Sequence, residues 1–363
     1  MDEIKQPIND ALQTKCKACG GIMQYSPADE DLKCIYCGNT GGLDKTPAKI
    51  KENDFEYWKN CADENNTEDV VEIPEIKCRQ CGATTTLPEN TSAAKCAFCG
   101  TPLIMKEASV KRFWQPEYLL PFKITEKVSR ENFKKWLGKK WFLPSQLKKN
   151  GVSTDGFKGV YLPFWTYDAN THTEYTGQRG MHRTETSRNE KGEEVKRTVT
   201  DWYSASGNVN VDFDDVIVPA SKTLPESIMN SLTNWDMMNC VGYKKEFLAG
   251  FITEVYQKDF REAIEDAKEK MNIVIEDTIR EDIGGDEQRI TSSHTQFNNV
   301  KFKHLLLPVW ISAFKFNNKL YQFVINGRTG QVIGQYPKDK VKIAMLVIAI
   351  IAVIVALKMI FGQ

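Results

Sequence analysis

The segments CKACGG at residues 16–21 and CIYCGN at residues 34–39 place four cysteines in two Cys-x-x-Cys pairs. The same arrangement returns as CRQCGA at residues 78–83 and CAFCGT at residues 96–101, again with 14 residues between the pairs. Equivalent cysteines lie 62 positions apart, so this region carries an internal duplication. Eight of the ten cysteines of the chain belong to the two units.

Each cysteine unit predicts one tetrahedral zinc site. Two residues between the cysteines of a pair let both thiolates reach the same metal ion from a tight turn. A glycine follows every pair, at Gly20, Gly38, Gly82 and Gly100, and glycine tolerates the positive φ that turns backbone N–H groups toward the sulfurs. The predicted ligands of the two Zn²⁺ ions are Cys16, Cys19, Cys34 and Cys37, and Cys78, Cys81, Cys96 and Cys99. Because four thiolates complete the coordination, both ions are predicted to be structural.

The other interpretations of the cysteine pattern have less support. A unit of about 25 residues is too small for an adequate hydrophobic core, which favours metal binding worth roughly 10–16 kcal/mol as the source of folding energy. Disulfides are disfavoured because residues 1–13, MDEIKQPINDALQ, contain no apolar signal-peptide core, and a reducing cytosol keeps thiols free. A rubredoxin-like iron site shares the ligand set without independent support. A redox Cys-x-x-Cys motif would not occur as paired pairs.

Length and composition indicate several folded parts and no global affinity for nucleic acid. The 363 residues correspond to two or three domains at roughly 150 residues per domain. Lys+Arg and Asp+Glu are both 48, so the formal net charge is zero, and 41% hydrophobic residues exclude wholesale disorder. The predicted parts are a zinc ribbon at 12–42, a linker at 43–73, a second ribbon at 74–106, an α+β domain at 110–337 and a transmembrane helix at 343–361.

The C-terminal segment predicts a single membrane span. Residues 343–357, IAMLVIAIIAVIVAL, contain no polar side chain. The 19 residues 343–361 would form a helix about 28 Å long, close to the ~30 Å hydrocarbon core of a bilayer. Lys338, Lys340 and Lys342 precede the span and only Lys358 lies toward its end, which favours a cytoplasmic N-terminal side. We therefore expect a single-pass, tail-anchored protein of the cell membrane with a cytoplasmic body.

The middle region predicts antiparallel strands with helices on one face, an α+β fold. A Leu-Pro string recurs as LLPF at 119–122, YLPFW at 161–165 and LLPVW at 306–310, and proline is tolerated at the first residue of a strand. Alternating side chains after Pro163 and over 198–213 predict a long hairpin with a charged tip.

Three helices are predicted in the same region. One is capped by Ser129 and runs to Trp141. A second covers 257–283 and ends at Gly284, with an apolar stripe of Phe260, Ile264, Ala267, Met271, Val274 and Thr278. A short third helix is predicted within 224–232.

The first of these helices is also a candidate membrane-surface element. Residues 123–149 hold nine Lys/Arg against Glu126 and Glu131, a net charge of +7, and a basic amphipathic helix with aromatic residues is typical of lipid-surface binding. The candidate residues are Lys134, Lys135, Trp136, Lys139, Lys140 and Trp141. The alternative is that the aromatic residues pack on the sheet and the lysines are merely solvated.

No catalytic constellation is recognisable in the sequence. The four histidines are scattered without metal-ligand spacing, and neither G-x-S-x-G nor H-E-x-x-H occurs. We therefore expect no enzyme and identify no small-molecule substrate.

The cysteine units resemble zinc ribbons of the transcription-factor-IIB and primosomal-helicase types. Together with YLPFWTY at 161–167, LLPVW at 306–310, VINGRTGQVIG at 324–334 and the apolar tail, they make the chain similar to a bacterial family of membrane-anchored double zinc-ribbon proteins. Members are often labelled primosomal protein N′ (replication factor Y), superfamily II helicase. A helicase needs a G-x-x-x-x-G-K-[ST] phosphate loop, which this sequence lacks. The resemblance implies phage-shock-protein-A-like or flotillin-like partners in envelope stress.

Two functional expectations follow. The first is a non-enzymatic scaffold that recruits cytosolic partner proteins to the lipid bilayer. The alternative is a membrane-tethered nucleic-acid-binding protein related to replication or transcription, without a helicase motor. Against the alternative, the first ribbon holds only Lys17 and Lys33 and the second only Arg79 and Lys95 between their outer cysteines, which is sparse for a surface that follows phosphates.

Overall fold

The computed structural model has a mixed α+β fold, and three of its strands are unusually long. The structure describes residues 14–43, 51–60, 70–86, 94–103, 109–150, 156–188, 192, 194–317 and 319–361. Its strands are β1 Met23–Ser26, β2 Asp31–Cys34, β3 Asn53–Asp54, β4 Val70–Lys77, β5 Thr84–Thr86, β6 Ala94–Lys95, β7 Pro102–Leu103, β8 Ser109–Trp114, β9 Tyr118–Leu119, β10 Lys158–Arg188, β11 Glu194–Pro219, β12 Val241–Gly242, β13 Ile252–Thr253, β14 Glu287–Phe316, β15 Lys319–Asn326 and β16 Val332–Gly334. Its helices are α1 Phe55–Asn60, α2 Glu126–Gly138, α3 Ser145–Asn150, α4 Glu226–Met229, α5 Phe260–Ile283 and α6 Lys340–Phe361.

The central sheet has nine strands, with the path β11-β10-β14-β15-β16. β10 pairs antiparallel with β11 on one side and with β14 on the other. Residues 160–167 of β10 are all buried, because layers cover both faces of the sheet there, whereas residues 169–177 alternate between buried and more exposed positions. Beyond Gly180 only β10 and β11 continue as a two-stranded hairpin, and side chains 181–188 are exposed. The long hairpin predicted from the sequence is confirmed.

The prediction that each Leu-Pro proline opens a strand is wrong. Pro121 follows β9 and opens no strand, and Pro163 and Pro308 lie inside β10 and β14 rather than opening them. On one side of β10, β13 pairs with residues 160–161 and β11 begins opposite Phe164. Pro163 falls in that gap, where the missing N–H breaks no ladder hydrogen bond. Pro308 falls in the equivalent gap on β14, between its pairing with β9 at 305–306 and with β15 from 309 onward.

Helix α5 covers one face of the long strands. Its buried side chains are Phe260, Ala263, Ile264, Ala267, Met271, Ile275, Ile279 and Ile283. The predicted stripe is therefore wrong at Val274, which is exposed, and at Thr278, because four-residue steps after Met271 keep the stripe on the sheet. The Asp259 side chain accepts a hydrogen bond from the Arg261 N–H at 2.8 Å, and the helix ends at Gly284 with φ of 65°.

Helix α2 begins earlier than predicted, because Thr125 is its N-cap and Ser129 lies buried within it. The Thr125 hydroxyl accepts a hydrogen bond from the Val128 N–H at 3.3 Å, which satisfies a free donor of the first turn. The helix ends at Gly138, so Trp141 lies in the turn that follows. The short helix expected within 224–232 is present as α4.

Part of the segment predicted as a linker packs on the α+β domain. Asn53 and Asp54 pair with β14 opposite Phe302 and Lys301. Phe55 is buried, and its ring lies edge-on to the ring of Phe302 at a centroid distance of 6.3 Å. Residues 44–50 and 61–69, including the cysteine Cys61 that the sequence leaves without a partner, lie outside the described residues.

Candidate metal centres

The first cysteine unit brings its four sulfurs together. The Sγ atoms of Cys16 and Cys37 are 3.6 Å apart, and those of Cys19 and Cys34 are 3.5 Å apart. All four lie within 4.8 Å of one another. A tetrahedral ion with Zn–S bonds of about 2.3 Å requires sulfur separations of about 3.8 Å, so the donor set fits a closed Cys₄ metal site.

The second unit repeats this arrangement. Cys78 and Cys99 approach to 3.7 Å between their sulfurs, and Cys81 and Cys96 to 3.5 Å. In both copies the first cysteine therefore faces the fourth and the second faces the third. Each of these two cysteine groups in the described chain could hold a metal ion.

The glycines adopt the backbone conformation that the sequence predicts. Gly20, Gly38, Gly82 and Gly100 have φ between 71° and 77°. Each donates its N–H to the carbonyl oxygen of the first cysteine of its pair, as Gly20 does to Cys16 at 2.8 Å. The N–H groups of Cys19 and Ala18 lower the pKa of the Cys16 thiol to about 6. The Gly21 N–H also lowers the pKa of Cys19, but the sulfurs of Cys37 and Cys34 raise it overall to about 12, so metal binding has to displace protons from part of the site.

The first ribbon, residues 14–43, docks on the domain through its hairpin. Met23, Tyr25 and Leu32 are buried in one core cluster. The Tyr25 hydroxyl donates to the carbonyl oxygen of Phe122 at 3.1 Å. The residues between the last two cysteines stay largely accessible to solvent, because Ile35 and Tyr36 are 52% and 72% exposed.

In the second ribbon, the residues between the last two cysteines are buried instead of exposed. Ala97 and Phe98, which the duplication aligns with Ile35 and Tyr36, are only 8% and 0% exposed. Phe98 belongs to a core cluster with residues of the central sheet, and the Gln322 side chain donates to its carbonyl oxygen at 2.9 Å. This ribbon also extends past its predicted bounds, because β4, β5 and β8 form one three-stranded sheet. Spacing alone did not distinguish the two docking modes.

A third group of possible ligands is an ion-pair network. The carboxylates of Asp168, Asp214 and Asp215 lie within 4.8 Å of one another. The Lys303 ammonium lies 2.8 Å from Asp215 and 3.5 Å from Asp168. Burial opposes the charge on Lys303, but Asp215 raises its pKa overall. The lysine thus already supplies the positive charge at this cluster.

The four histidines all lie in β10 or β14. His304 is a core residue rather than a surface one, and burial lowers its pKa to about 4. His182 contacts Glu287 at 2.8 Å, and His172 contacts Asn210 at 2.7 Å. None of them joins the possible metal groups of the described chain.

The six predicted membrane-surface residues lie on α2 and in the turn after it. Phe133 stacks on Phe323 at a centroid distance of 3.8 Å, so part of the aromatic face packs on the sheet, as the alternative holds. Trp136 is partly buried in the same way, whereas Trp141 is 73% exposed. Lys134, Lys135 and Lys139 are also exposed, and Lys140 lies over the Trp136 ring at 4.6 Å.

Among the described residues, one helix is long and apolar enough to cross a membrane. The segment Lys340–Met359 has a mean hydropathy of 2.7 and none of it is buried against the rest of the protein. It begins three residues before the predicted span because Asp339 accepts from the Val341 N–H at 3.0 Å and caps the helix.

A protein of Bacillus subtilis (strain 168), named "Uncharacterized protein YdjG", is 27% identical over 337 residues, which cover 92% of each chain. The similarity therefore extends far beyond the cysteine units. No family model matches the chain, and no solved structure matches significantly. The resemblance to membrane-anchored double zinc-ribbon proteins stays a prediction.

Proposed function

We propose that the protein is a non-enzymatic adaptor, anchored in the cell membrane by its C-terminal helix, that recruits a cytosolic partner protein through its first zinc ribbon. The observation that supports this proposal is the difference in solvent exposure between the two copies of the cysteine motif. Phe98 of the second ribbon is fully buried, whereas Tyr36 at the equivalent position is 72% exposed and its neighbour Ile35 is 52% exposed. Two adjacent exposed apolar side chains on a rigid turn are typical of a protein contact.

The metal in this proposal is zinc. Four cysteine sulfurs per site, short turns and closed coordination match structural zinc better than catalytic zinc, which keeps an open position. Each ion would hold Ile35 and Tyr36, or Ala97 and Phe98, in a fixed turn between two ligands. The ribbons thereby serve binding rather than chemistry.

The anchor gives the adaptor its location. α6 presents apolar side chains all round, and lysines flank it mainly on the side of the body, which favours a body in the cytoplasm. Tethering confines the first ribbon near the bilayer and raises its effective concentration for partners there. The resemblance implies partners of the phage-shock-protein-A-like or flotillin-like classes.

A groove of about 920 Å³ lies beside the first ribbon and also favours the face around Tyr36 as the contact site for the partner. It lies between the ribbon and the domain, and Tyr36, Phe251 and Trp310 line it together with Lys33 and Lys158. An apolar side chain of a partner can enter here while Tyr36 packs against it. Lys33 already pairs with Asp29 at 3.0 Å, so Lys158 is the other lysine that the groove could offer to a nucleic-acid phosphate.

The test is site-specific photocrosslinking of the full chain in its native membranes. A photoreactive residue at position 36 should form a defined adduct, and the same residue at the exposed Tyr203 on the long hairpin should not. The adduct should disappear with Cys37→Ser. The partner, identified by mass spectrometry and purified, should bind the reconstituted wild-type chain and not Tyr36→Ser.

Equal adducts at both positions, or binding unaffected by Tyr36→Ser, would refute recruitment through the first ribbon. A low-salt gel shift of the full chain with DNA or RNA would instead favour the nucleic-acid alternative. Resistance to carbonate extraction tests the anchor separately, and loss of the protein into the soluble fraction would overturn the membrane part.

A further inference from the structure

The turn after α2 is attached to the start of the candidate membrane helix. The Asp339 N–H donates to the carbonyl oxygen of Phe142 at 2.7 Å. One turn further on, the Lys342 ammonium donates to the carbonyl oxygen of Leu143 at 2.6 Å. Leu143 is itself buried in the core of the domain. The base of α6 is therefore tied to the segment that follows α2, although nearly 200 residues separate them in sequence.

Aromatic contacts reinforce this attachment. The rings of Trp136 and Tyr336 meet edge to face at a centroid distance of 6.0 Å. The Lys140 ammonium lies 4.6 Å from the first ring and 5.3 Å from the second. Tyr336 precedes the capping residue Asp339 by three positions. The C-terminal end of α2 thus packs against the chain just before it enters α6.

Trp141 stands at this junction with no core to cover it. Its side chain is 73% exposed and stacks on Phe142 at a centroid distance of 6.4 Å. Phe142 is the residue whose carbonyl oxygen binds the cap of α6. A tryptophan placed at the boundary between water and hydrocarbon buries its ring while its N–H stays in the polar layer. The position of Trp141 beside the base of a membrane helix fits that role.

Lysines are frequent on the two segments that meet at this junction. Exposed lysines come from α2 and from the segment that leads into α6, and the acidic residues on the same segments are Glu126 and Glu131 of α2 and the cap Asp339. We name as the lysine–tryptophan surface the residues Lys134, Lys135, Lys139, Trp141, Lys338 and Lys340. Anionic phospholipid headgroups attract such clusters next to a membrane span.

We propose that the lysine–tryptophan surface binds the anionic phospholipid headgroups of the leaflet that α6 enters, and so holds the cytoplasmic body in one orientation on the bilayer. The inference rests on the proposed membrane anchoring and adds to it a lipid-binding site. We choose a bilayer surface as the ligand because the lysine–tryptophan surface adjoins the membrane span itself. Two elements distant in sequence supply the site, and their hydrogen bonds keep it at the depth of the headgroups.

The test uses the full chain in nanodiscs of phosphatidylcholine, alone or mixed with phosphatidylglycerol, with brominated acyl chains as quenchers of tryptophan fluorescence. Quenching should be stronger with phosphatidylglycerol and should weaken at high salt, because exposed charges are screened. Trp141→Phe should remove most of the phosphatidylglycerol-dependent quenching. Trp202→Phe, in the long hairpin, should leave it unchanged.

A matched pair of charge variants separates lipid binding from general charge. Lys135→Gln with Lys139→Gln removes two exposed lysines at the C-terminal end of α2 and in the turn that follows it, and should abolish the dependence on phosphatidylglycerol. Lys196→Gln with Arg197→Gln removes an equal charge from exposed positions on the hairpin and should not. All four sites are exposed, so folding is retained.

The outcomes distinguish this inference from the proposed function. A chain that inserts, resists carbonate extraction and shows no loss of quenching with Trp141→Phe would overturn the lipid site and leave the anchor intact. Equal effects of the two charge pairs would overturn it as well. A chain that fails to insert into any nanodisc would overturn both the anchor and the surface.

Discussion

Replacing Phe98 by alanine should destabilise the protein far more than replacing Tyr36, although the two residues occupy the same place in a duplicated motif. Phe98 is 0% exposed and packs in a core cluster of the central sheet. Truncating a buried phenylalanine removes its apolar contacts and leaves a cavity, which costs about 3–5 kcal/mol of unfolding free energy. Tyr36 is 72% exposed, and surface substitutions change stability by no more than about 0.5 kcal/mol.

The assay is urea unfolding of the full chain in nanodiscs, followed by tryptophan fluorescence, with the zinc content of each variant measured beforehand. Equal zinc content ensures that the comparison reports packing and not loss of metal. The conservative variant Phe98→Leu should recover more than half of the lost stability, because it refills most of the cavity. If Tyr36→Ala and Phe98→Ala have equal midpoints and equal slopes, the two ribbons dock alike and the proposed role of Tyr36 loses its basis.

Three further predictions concern the metal, pH and the hairpin. Cys37→Ser should lower the bound zinc from two ions per chain to one by native mass spectrometry; loss of both would contradict independent sites. Burial raises the pKa of Glu254 to about 8 from an ordinary 4.5. Between pH 4.5 and pH 8 the folded protein therefore holds a proton that the unfolded chain has released. Stability should therefore fall as pH rises from 4.5 to 8, and Glu254→Gln should flatten that slope in urea titrations; an unchanged slope would contradict it. Replacing residues 184–198 by Asn-Gly should leave the unfolding midpoint unchanged, because the described side chains of this stretch, 184–188 and 194–198, are exposed; a lower midpoint would show that the hairpin tip supports the fold.

The local features of this fold were predictable because they depend on neighbouring residues. The Cys-x-x-Cys-Gly turns need only their own glycines, and the φ values of Gly20 and Gly82 follow from that chemistry. The apolar run of α6 and the alternation in β10 are likewise visible in short windows of sequence. These features predicted both candidate metal groups, the long hairpin and the fold class.

The remaining features depend on packing between distant segments. Asp168 meets Asp215 because a bulge between Tyr167 and Ala169 shifts the register of β10 against β11. Phe55 reaches the core only because Asn53 pairs with β14, almost 250 residues away. The opposite docking of the two ribbons has the same origin, since the surface that receives each ribbon is assembled from strands far along the chain.

The length of β10 has a consequence for where this protein can meet other molecules. The strand starts beside Phe157, whose ring packs on Phe133 of α2 near the base of α6, and its 31 residues extend for about 100 Å at ~3.3 Å per residue. That distance is several times the thickness of the lipid hydrocarbon. Molecules held at the far tip and at the first ribbon would therefore be too far apart to collide, and one chain can accommodate both at once.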